Sequence, residues 1–224
     1  MRATAWAASR VALNAALLHP VAKPAVALLA LWPFALLAWG AVYDQLGANP
    51  AEALIRGTGD WTLRFLCITL LVTPLRVIAG LAPLARLRRM LGLFTYFYAA
   101  LHLVAYAWLD MGLEMADIAR DIAKRPFILV GFLAFVLLTP LAATSFNRAV
   151  KALGARHWQG LHRLIHAIVL LGLLHFFWMR AGKNDFNEVA VYAAIVALLL
   201  GWRLVRWRRS RPSRSVPLDP DLSR

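Results

Sequence analysis

Six apolar runs, each long enough to cross a lipid bilayer as a helix, constrain this chain more than any other feature. A helix rises 1.5 Å per residue, so about 20 apolar residues cover a hydrocarbon core of roughly 30 Å. The mean hydropathy of +0.63 and the hydrophobic fraction of 61% agree with this reading. The sequence predicts an all-α membrane protein with six transmembrane helices, at about residues 25–43, 61–81, 93–109, 127–143, 161–179 and 189–207.

The charges between these runs predict the orientation of the chain. The formal net charge is +14, and the basic residues concentrate in the N-terminal arm, the second and fourth connections and the C-terminal tail. The other three connections are acidic or balanced, so the positive-inside tendency puts both termini in the cytoplasm. We expect a cytoplasmic or interfacial arm at 1–24, a transmembrane domain at 25–207 and a disordered basic tail at 208–224. No nucleic-acid recognition motif accompanies the charge.

Four histidines lie inside the apolar runs, and they are the main candidates for function. His102 is on the third run, and His162, His166 and His175 are on the fifth. An imidazole is costly in hydrocarbon unless something compensates it, so an intramembrane histidine is a functional-site hypothesis by default. The runs hold no Asp or Glu, which argues against a proton-coupled transporter or a carboxylate-bridged metal site. The sequence also lacks the HExxH and GxSxG motifs of hydrolases.

Neutral imidazoles in an apolar setting suit haem iron, which takes histidine as an axial ligand while the porphyrin faces pack against apolar side chains. The third and fifth runs cross the membrane in the same sense, so their depths can be compared from their inner ends. His102 lies roughly 14 Å and His175 roughly 21 Å along their helices. Within the error of the helix boundaries, the two rings are predicted to share a level and to bind one haem iron, with the six helices forming a bundle around the haem.

The other two intramembrane histidines leave alternatives open. His162 could bind a second haem nearer the cytoplasm, but an ideal helix would turn it about 220° away from His175, and Arg88 stands where a partner histidine is needed. His162 and His166 share a helix face without a nearby carboxylate or thiol, so a metal pair is disfavoured. Every one of these histidines could instead hydrogen-bond a neighbouring helix, the reading we favour for His166.

Several short motifs, taken in order, carry a resemblance to a known family. Together they are similar to the ferric reductase-like transmembrane family, and within it to the haem-binding membrane subunits of periplasmic methionine sulfoxide reductase systems. The resemblance covers about residues 47–178. The motifs are GANPA at 47–51, TPLR at 73–76, RRMLGL at 88–93, LHL at 101–103 with Tyr106, KRP at 124–126, Thr139 with Thr144 and Ser145, and WQGLH at 158–162.

This resemblance implies a multi-pass b-type cytochrome of the bacterial inner membrane that also uses FMN. It would carry electrons from the quinone pool to a periplasmic molybdopterin-containing methionine sulfoxide reductase subunit, which repairs oxidised proteins. His102 and His175 match the family's outer haem ligands, and His162 matches a further functional histidine. The resemblance therefore implies one haem b or two, and an electron-transfer role without substrate reduction by this chain. No flavin-binding motif is visible.

Two further expectations come from lengths. Only 17 residues follow Trp207, too few for a flavin and nicotinamide domain, so the electron donor is expected to be external or lipid-soluble. The periplasmic connections are too short to hold a substrate-reducing site, so the acceptor is expected to dock on the acidic first and third connections. Arg76, Arg88 and Arg89 could hold a flavin phosphate or a quinone headgroup, or could simply anchor the helices at the cytoplasmic surface.

Two other functions stay open on the sequence. A ferric or cupric reductase-type electron conduit would use the same histidines with a different acceptor. A non-redox membrane scaffold would use them only to pack helices.

Overall fold

The computed structural model describes residues 2–182 and 184–210, and the regular structure of this part is entirely helical. A 3-10 turn at Ala82–Leu84 precedes α4, and a π-helical turn at Tyr106–Asp110 follows it. The α-helices are α1 (Arg2–Leu18), α2 (Ala22–Val42), α3 (Pro50–Ile78), α4 (Ala85–Ala105), α5 (Met115–Lys124), α6 (Pro126–Ala143), α7 (Asn147–His162), α8 (Ile165–Ala181) and α9 (Asn187–Arg209).

Six segments of the described chain are long and apolar enough to cross a membrane, which confirms the prediction of an all-α protein with six membrane-capable segments. They are Ala22–Val42, Pro50–Ile78, Ala82–Asp110, Pro126–Ala143, Asn147–Ala181 and Asn187–Arg209. The predicted disordered tail lies, from residue 211 onward, outside the described residues.

The second membrane helix begins earlier than the sequence analysis predicts. Residues 50–60 were expected to belong to an acidic connection, and this expectation is wrong because α3 begins at Pro50. The Asn49 side chain accepts a hydrogen bond from the Glu52 amide at 3.1 Å, and proline is favourable in the first helical turn. Glu52 also pairs with Arg56 one turn later, at 2.5 Å. The extra turns of α3 lie beside α4.

The fifth membrane segment is two helices rather than one. α7 ends at His162 and α8 begins at Ile165, so the expectation of one helix over 161–179 is wrong at its start. The calculated rotation between His162 and His175 assumed one uninterrupted helix, and it does not apply across this junction. α7 also contains a break at Gly154, whose φ of 72° lies in the left-handed region that glycine adopts without strain.

α3 lies at the centre of the bundle. Its side chains Leu63, Leu66 and Leu70 are buried in one apolar cluster with residues of α4, α6, α8 and α9. A second buried cluster joins Phe65 of α3 to α2 and α4. Large apolar side chains remain exposed on the outer helices, as expected where the neighbour is lipid. The arrangement makes α3 the surface against which α4 and α8 are positioned.

Tyr98 ties α4 to α2 at a point where the α2 backbone is weakened. Pro33 lies inside α2 and lacks the amide hydrogen that a helix uses. The fully buried Tyr98 hydroxyl donates to the Ala30 carbonyl at 2.8 Å and accepts from the Phe34 amide at 3.0 Å. These two backbone groups are each other's usual partners in an α-helix, so the hydroxyl bridges them.

Replacing this hydroxyl tests the bridge. Tyr98→Phe leaves the ring and removes both hydrogen bonds, so we expect the free energy of unfolding to fall by about 1–3 kcal/mol. Thermal unfolding of the purified protein in detergent measures the change. Tyr96→Phe is the matched control, because the Tyr96 ring keeps its stacking on Phe135. Equal stability of the Tyr98 variant and the wild type would contradict the bridge.

Candidate functional site

His102 on α4 and His175 on α8 lie together inside the bundle. Their ring centres are 6.1 Å apart, and the ring planes are inclined at 74°. Both rings line one cavity of about 280 Å³. The structure therefore brings together the two histidines that were predicted from the sequence to share one level in the membrane.

The two rings are held in the same way by two different helices. His102 Nδ1 lies 2.8 Å from the carbonyl oxygen of Ile55 on α3, and His175 Nδ1 lies 2.6 Å from that of Phe127 on α6. A carbonyl oxygen only accepts, so Nδ1 carries the hydrogen in both rings. In a neutral imidazole this leaves the Nε2 lone pair free to bind a metal.

A glycine lies one helical turn after each of these carbonyls, and it lets the ring approach the helix. A Cβ atom at Gly59 would lie 3.1 Å from His102 Nδ1, and one at Gly131 would lie 2.8 Å from His175 Nδ1. Any larger residue would push against the ring, most severely at Gly131. The sequence analysis missed both positions. Their only signal is a glycine inside an apolar helix, which does not say what approaches it.

The cavity between the histidines is apolar inside and polar at one end. Its walls include Leu63, Leu66, Phe132, Phe135 and Ile168. Its polar lining comes from the part of α3 nearest its start and from the segment that follows α4, which is the end of the bundle with the acidic connections. The charged and tyrosine side chains in this lining are Arg56, Asp60, Tyr106, Asp110 and Arg125.

An ion pair lies at this polar end, and a tyrosine hydroxyl donates a hydrogen bond to its carboxylate. Arg125 pairs with Asp121, and the Tyr106 hydroxyl donates to Asp121 Oδ2 at 2.6 Å. The Arg125 guanidinium holds the pKa of the Asp121 carboxyl below its ordinary value, and Asp121 in turn raises the pKa of Arg125. Arg125 Nε is buried and has no hydrogen-bond partner within the described part of the chain. The Nε–H group of Arg125 is therefore a free hydrogen-bond donor beside the cavity.

His162 and His166 do not join the first site, and they line a second cavity of about 590 Å³. His162 Nε2 lies 3.2 Å from Thr144 Oγ1, and its ring stacks on Trp158 with centres 4.0 Å apart. α4 contributes Arg88 to this cavity, and no histidine. Within residues 2–182 and 184–210 no cluster of three or more His, Cys, Asp or Glu side chains could hold a metal ion.

Comparison with known protein families agrees with the fold. Residues 58–173, more than half of the chain, match the family described as "Ferric reductase like transmembrane component". This range runs from α3 into α8 and includes His102 and His162. The chain therefore belongs to the ferric reductase-like transmembrane family.

Individual relatives give a finer placement within this family. A protein of Polaromonas naphthalenivorans is 69% identical over 208 residues, covering 92% of this chain and 94% of its own. One of Ralstonia nicotianae is 55% identical (84% and 87% covered), and one of Bordetella pertussis is 50% identical (84% and 91% covered). Each is named protein-methionine-sulfoxide reductase heme-binding subunit MsrQ, and this chain groups with the MsrQ proteins. No solved structure matches the chain.

The low pKa of Asp121 predicts how acid affects the protein. A carboxyl with a lowered pKa stabilises the folded state above its unfolded pKa of about 3.9, and that contribution is lost as the pH falls through the folded pKa. Asp121→Asn should therefore lower the melting temperature at pH 7, and this difference should shrink below about pH 4. Asp117→Asn on the same helix is the control, because its pair with Arg120 is exposed and should contribute little. A pH-independent difference at Asp121 would contradict the assignment.

Proposed function

We propose that this protein binds one b-type haem between His102 and His175 and carries electrons across the membrane to a methionine sulfoxide reductase partner. One observation carries the proposal, namely two buried imidazoles on different helices, each with Nδ1 bound to a carbonyl oxygen and Nε2 available. The names of the relatives, which describe heme-binding subunits of a methionine sulfoxide reductase, support it.

The spacing of the rings fits a shared iron. With metal–nitrogen bonds of about 2 Å and about 1 Å from ring centre to nitrogen, two imidazoles on one metal have centres about 6 Å apart. The measured separation is 6.1 Å. The inclination of 74° between the ring planes is compatible, because each ring bonds through a single nitrogen. When bound, haem iron supplies one-electron transfer between its ferric and ferrous states.

The surrounding residues have separate roles in this proposal. The carbonyl groups of Ile55 and Phe127 fix each ring's tautomer and orientation, and they make Nε2 a better ligand. The apolar walls exclude water and suit the faces of a porphyrin. At the polar end, the spare Nε donor of Arg125 can bind a haem propionate. The donor set and the cavity therefore suit haem better than a hydrated metal ion.

The distribution of charge supports a direction for the electron path. The start of α4, the α7 helix with the residue after it, and the end of α9 are rich in basic residues, and the positive-inside tendency assigns them to the cytoplasm of a bacterial inner membrane. Electrons would enter from the quinone pool, with FMN as a second cofactor, as the family resemblance implies. They would leave at the polar end of the cavity to a periplasmic molybdopterin-containing subunit that docks on the connections around α5.

His162 stays a predicted ligand of a second haem. In the described part of the chain its cavity contains His166 as the only other histidine, and the facing helix α4 contributes Arg88. We therefore propose one haem with two histidine ligands. A ferric or cupric reductase would share this site and differ only in the acceptor, so reduction of those ions in place of the partner would favour it.

Removing either proposed ligand should remove the haem. We expect purified wild type to show a Soret band and a reduced-minus-oxidised α band. His102→Ala or His175→Ala should lose most of this absorbance, because only one of the two proposed histidine ligands would remain to retain the haem. Haem per chain, measured as the pyridine haemochrome, quantifies the loss.

His157→Ala is the matched control, since His157 is exposed on α7 and contacts only the Leu153 carbonyl at 3.2 Å among its described hydrogen bonds. It should retain full haem. A wild type without any haem absorbance would favour the non-redox scaffold, and full haem in either alanine variant would reject these ligands.

The two glycines give a graded test of the same site. Gly131→Ala should displace His175 and lower haem content more than Gly59→Ala, because the added carbon meets the ring at 2.8 Å instead of 3.1 Å. Gly201→Ala is the control, since a Cβ there meets nothing within 4 Å. Haem per chain and the position of the α band should change most in the Gly131 variant, less in the Gly59 variant and not in the Gly201 variant. Unchanged haem in the Gly131 variant would contradict the proposal that a close contact with Gly131 positions the His175 ring.

A further inference from the structure

The second cavity is lined by four arginines, Arg88, Arg89, Arg163 and Arg203, together with His162 and His166; we name it the arginine cavity. Its volume of about 590 Å³ is larger than that of the cavity between His102 and His175. No Asp or Glu of residues 2–182 and 184–210 lines it. Four positive charges therefore surround one space without a carboxylate to neutralise them.

Two of these arginines donate hydrogen bonds to neutral oxygen atoms, whereas other arginines of the chain pair with carboxylates. Arg203 donates to the backbone carbonyls of Leu199, at 2.8 Å, and Leu70, while Arg89 donates to Asn147 Oδ1 at 2.8 Å. In the described residues none of the four belongs to an ion pair.

By contrast, arginines at the opposite end of the bundle do meet carboxylates. Arg180 pairs with Asp185 at 3.2 Å and with Glu188 at 2.5 Å. Among the described residues, the acids that form ion pairs thus lie at the end of the bundle opposite the arginine cavity.

The physical cost of this arrangement indicates an anionic ligand. Like charges around a partly desolvated space repel each other, and the repulsion is relieved when an anion enters. Guanidinium groups bind phosphate oxygens through paired N–H donors, and a basic pocket between membrane helices is the usual setting for such a group. The lining also offers hydroxyl and amide donors from Thr69, Thr73, Ser145 and Gln159.

The remaining wall of the arginine cavity is apolar. Leu138, Leu141 and Ile165 line it, next to the ring of Trp158. A ligand that fits both parts has an anionic group on an apolar or aromatic body. Free inorganic phosphate would use only the polar half.

We propose that the arginine cavity binds the phosphate group of an amphipathic ligand, with Arg88 and Arg163 as principal contacts. The phosphate can come from a phosphorylated aromatic cofactor or from a phospholipid headgroup, and both present the same chemistry to the arginines. This inference stands whether or not a haem binds at His102 and His175, because it depends on different residues.

Two pairs of probes separate the two sources. For the purified full chain in neutral detergent, binding of FMN is compared with riboflavin, which lacks the phosphate. Retention of phosphatidylglycerol is compared with phosphatidylcholine by native mass spectrometry. A cofactor site should prefer FMN at least about tenfold, with inorganic phosphate competing. A lipid site should retain phosphatidylglycerol. A protein that prefers neither FMN over riboflavin nor phosphatidylglycerol over phosphatidylcholine would overturn the proposal.

Variants locate the site. Arg88→Gln and Arg163→Gln should each weaken the preferred probe about tenfold or more, since each removes a charge-assisted hydrogen bond. Arg88→Lys should weaken it less. Arg86→Gln is the matched control, because Arg86 lies in the same turn of α4 as Arg88 but donates to the Leu18 carbonyl at 3.2 Å and does not line the cavity. Equal losses in the control, or none at Arg88 and Arg163, would contradict the site.

Haem per chain, measured on the same samples, keeps this inference distinct from the proposed function. Unchanged haem with weakened FMN or lipid binding supports a separate phosphate site. Haem lost from the Arg88 and Arg163 variants, with probe preference unchanged, would assign these arginines to the carboxylates of a haem and overturn the phosphate proposal.

Discussion

The site depends on two hydrogen bonds from imidazole Nδ1 to backbone carbonyls, one from His102 to Ile55 and one from His175 to Phe127. A carbonyl inside a helix is partly covered by the next turn of that helix, so an imidazole on a neighbouring helix reaches it only where the two helices pack closely. Gly59 and Gly131 allow this approach. Each bond joins a helix that carries one of the two histidines to a helix that carries neither, and so α3 and α6 determine where the rings of α4 and α8 lie.

The sequence predicted the side-chain part of this arrangement and not the backbone part. Six apolar runs and two histidines at similar depth are visible in the residue types themselves, and the structure has both. Carbonyl acceptors have no signature, because every residue has one, and a glycine inside a helix is equally consistent with many kinds of close packing. Family resemblance supplied the candidate ligands but could not show that two other helices hold them.

The remaining differences between prediction and structure concern helix ends and side chains that lie far apart in the sequence. The start of α3 depends on Asn49 and Pro50, a capping signal that lies in a stretch too polar to look like a membrane helix. The junction of α7 and α8 at residues 163–164 has no proline or glycine to mark it. The sequence indicated only part of the arginine cavity. Of the three arginines it singled out, Arg88 and Arg89 line the cavity and Arg76 does not. The other two, Arg163 and Arg203, come from segments distant in sequence.

The most direct measurement of the central claim is electron paramagnetic resonance of the oxidised purified protein. Two neutral imidazoles on one ferric iron give a low-spin signal, and ring planes inclined at 74° should make its g values strongly anisotropic. The account predicts this signal at one haem per chain, lost in His102→Ala. A high-spin signal from the wild type, or the same low-spin signal after removal of His102, would contradict it.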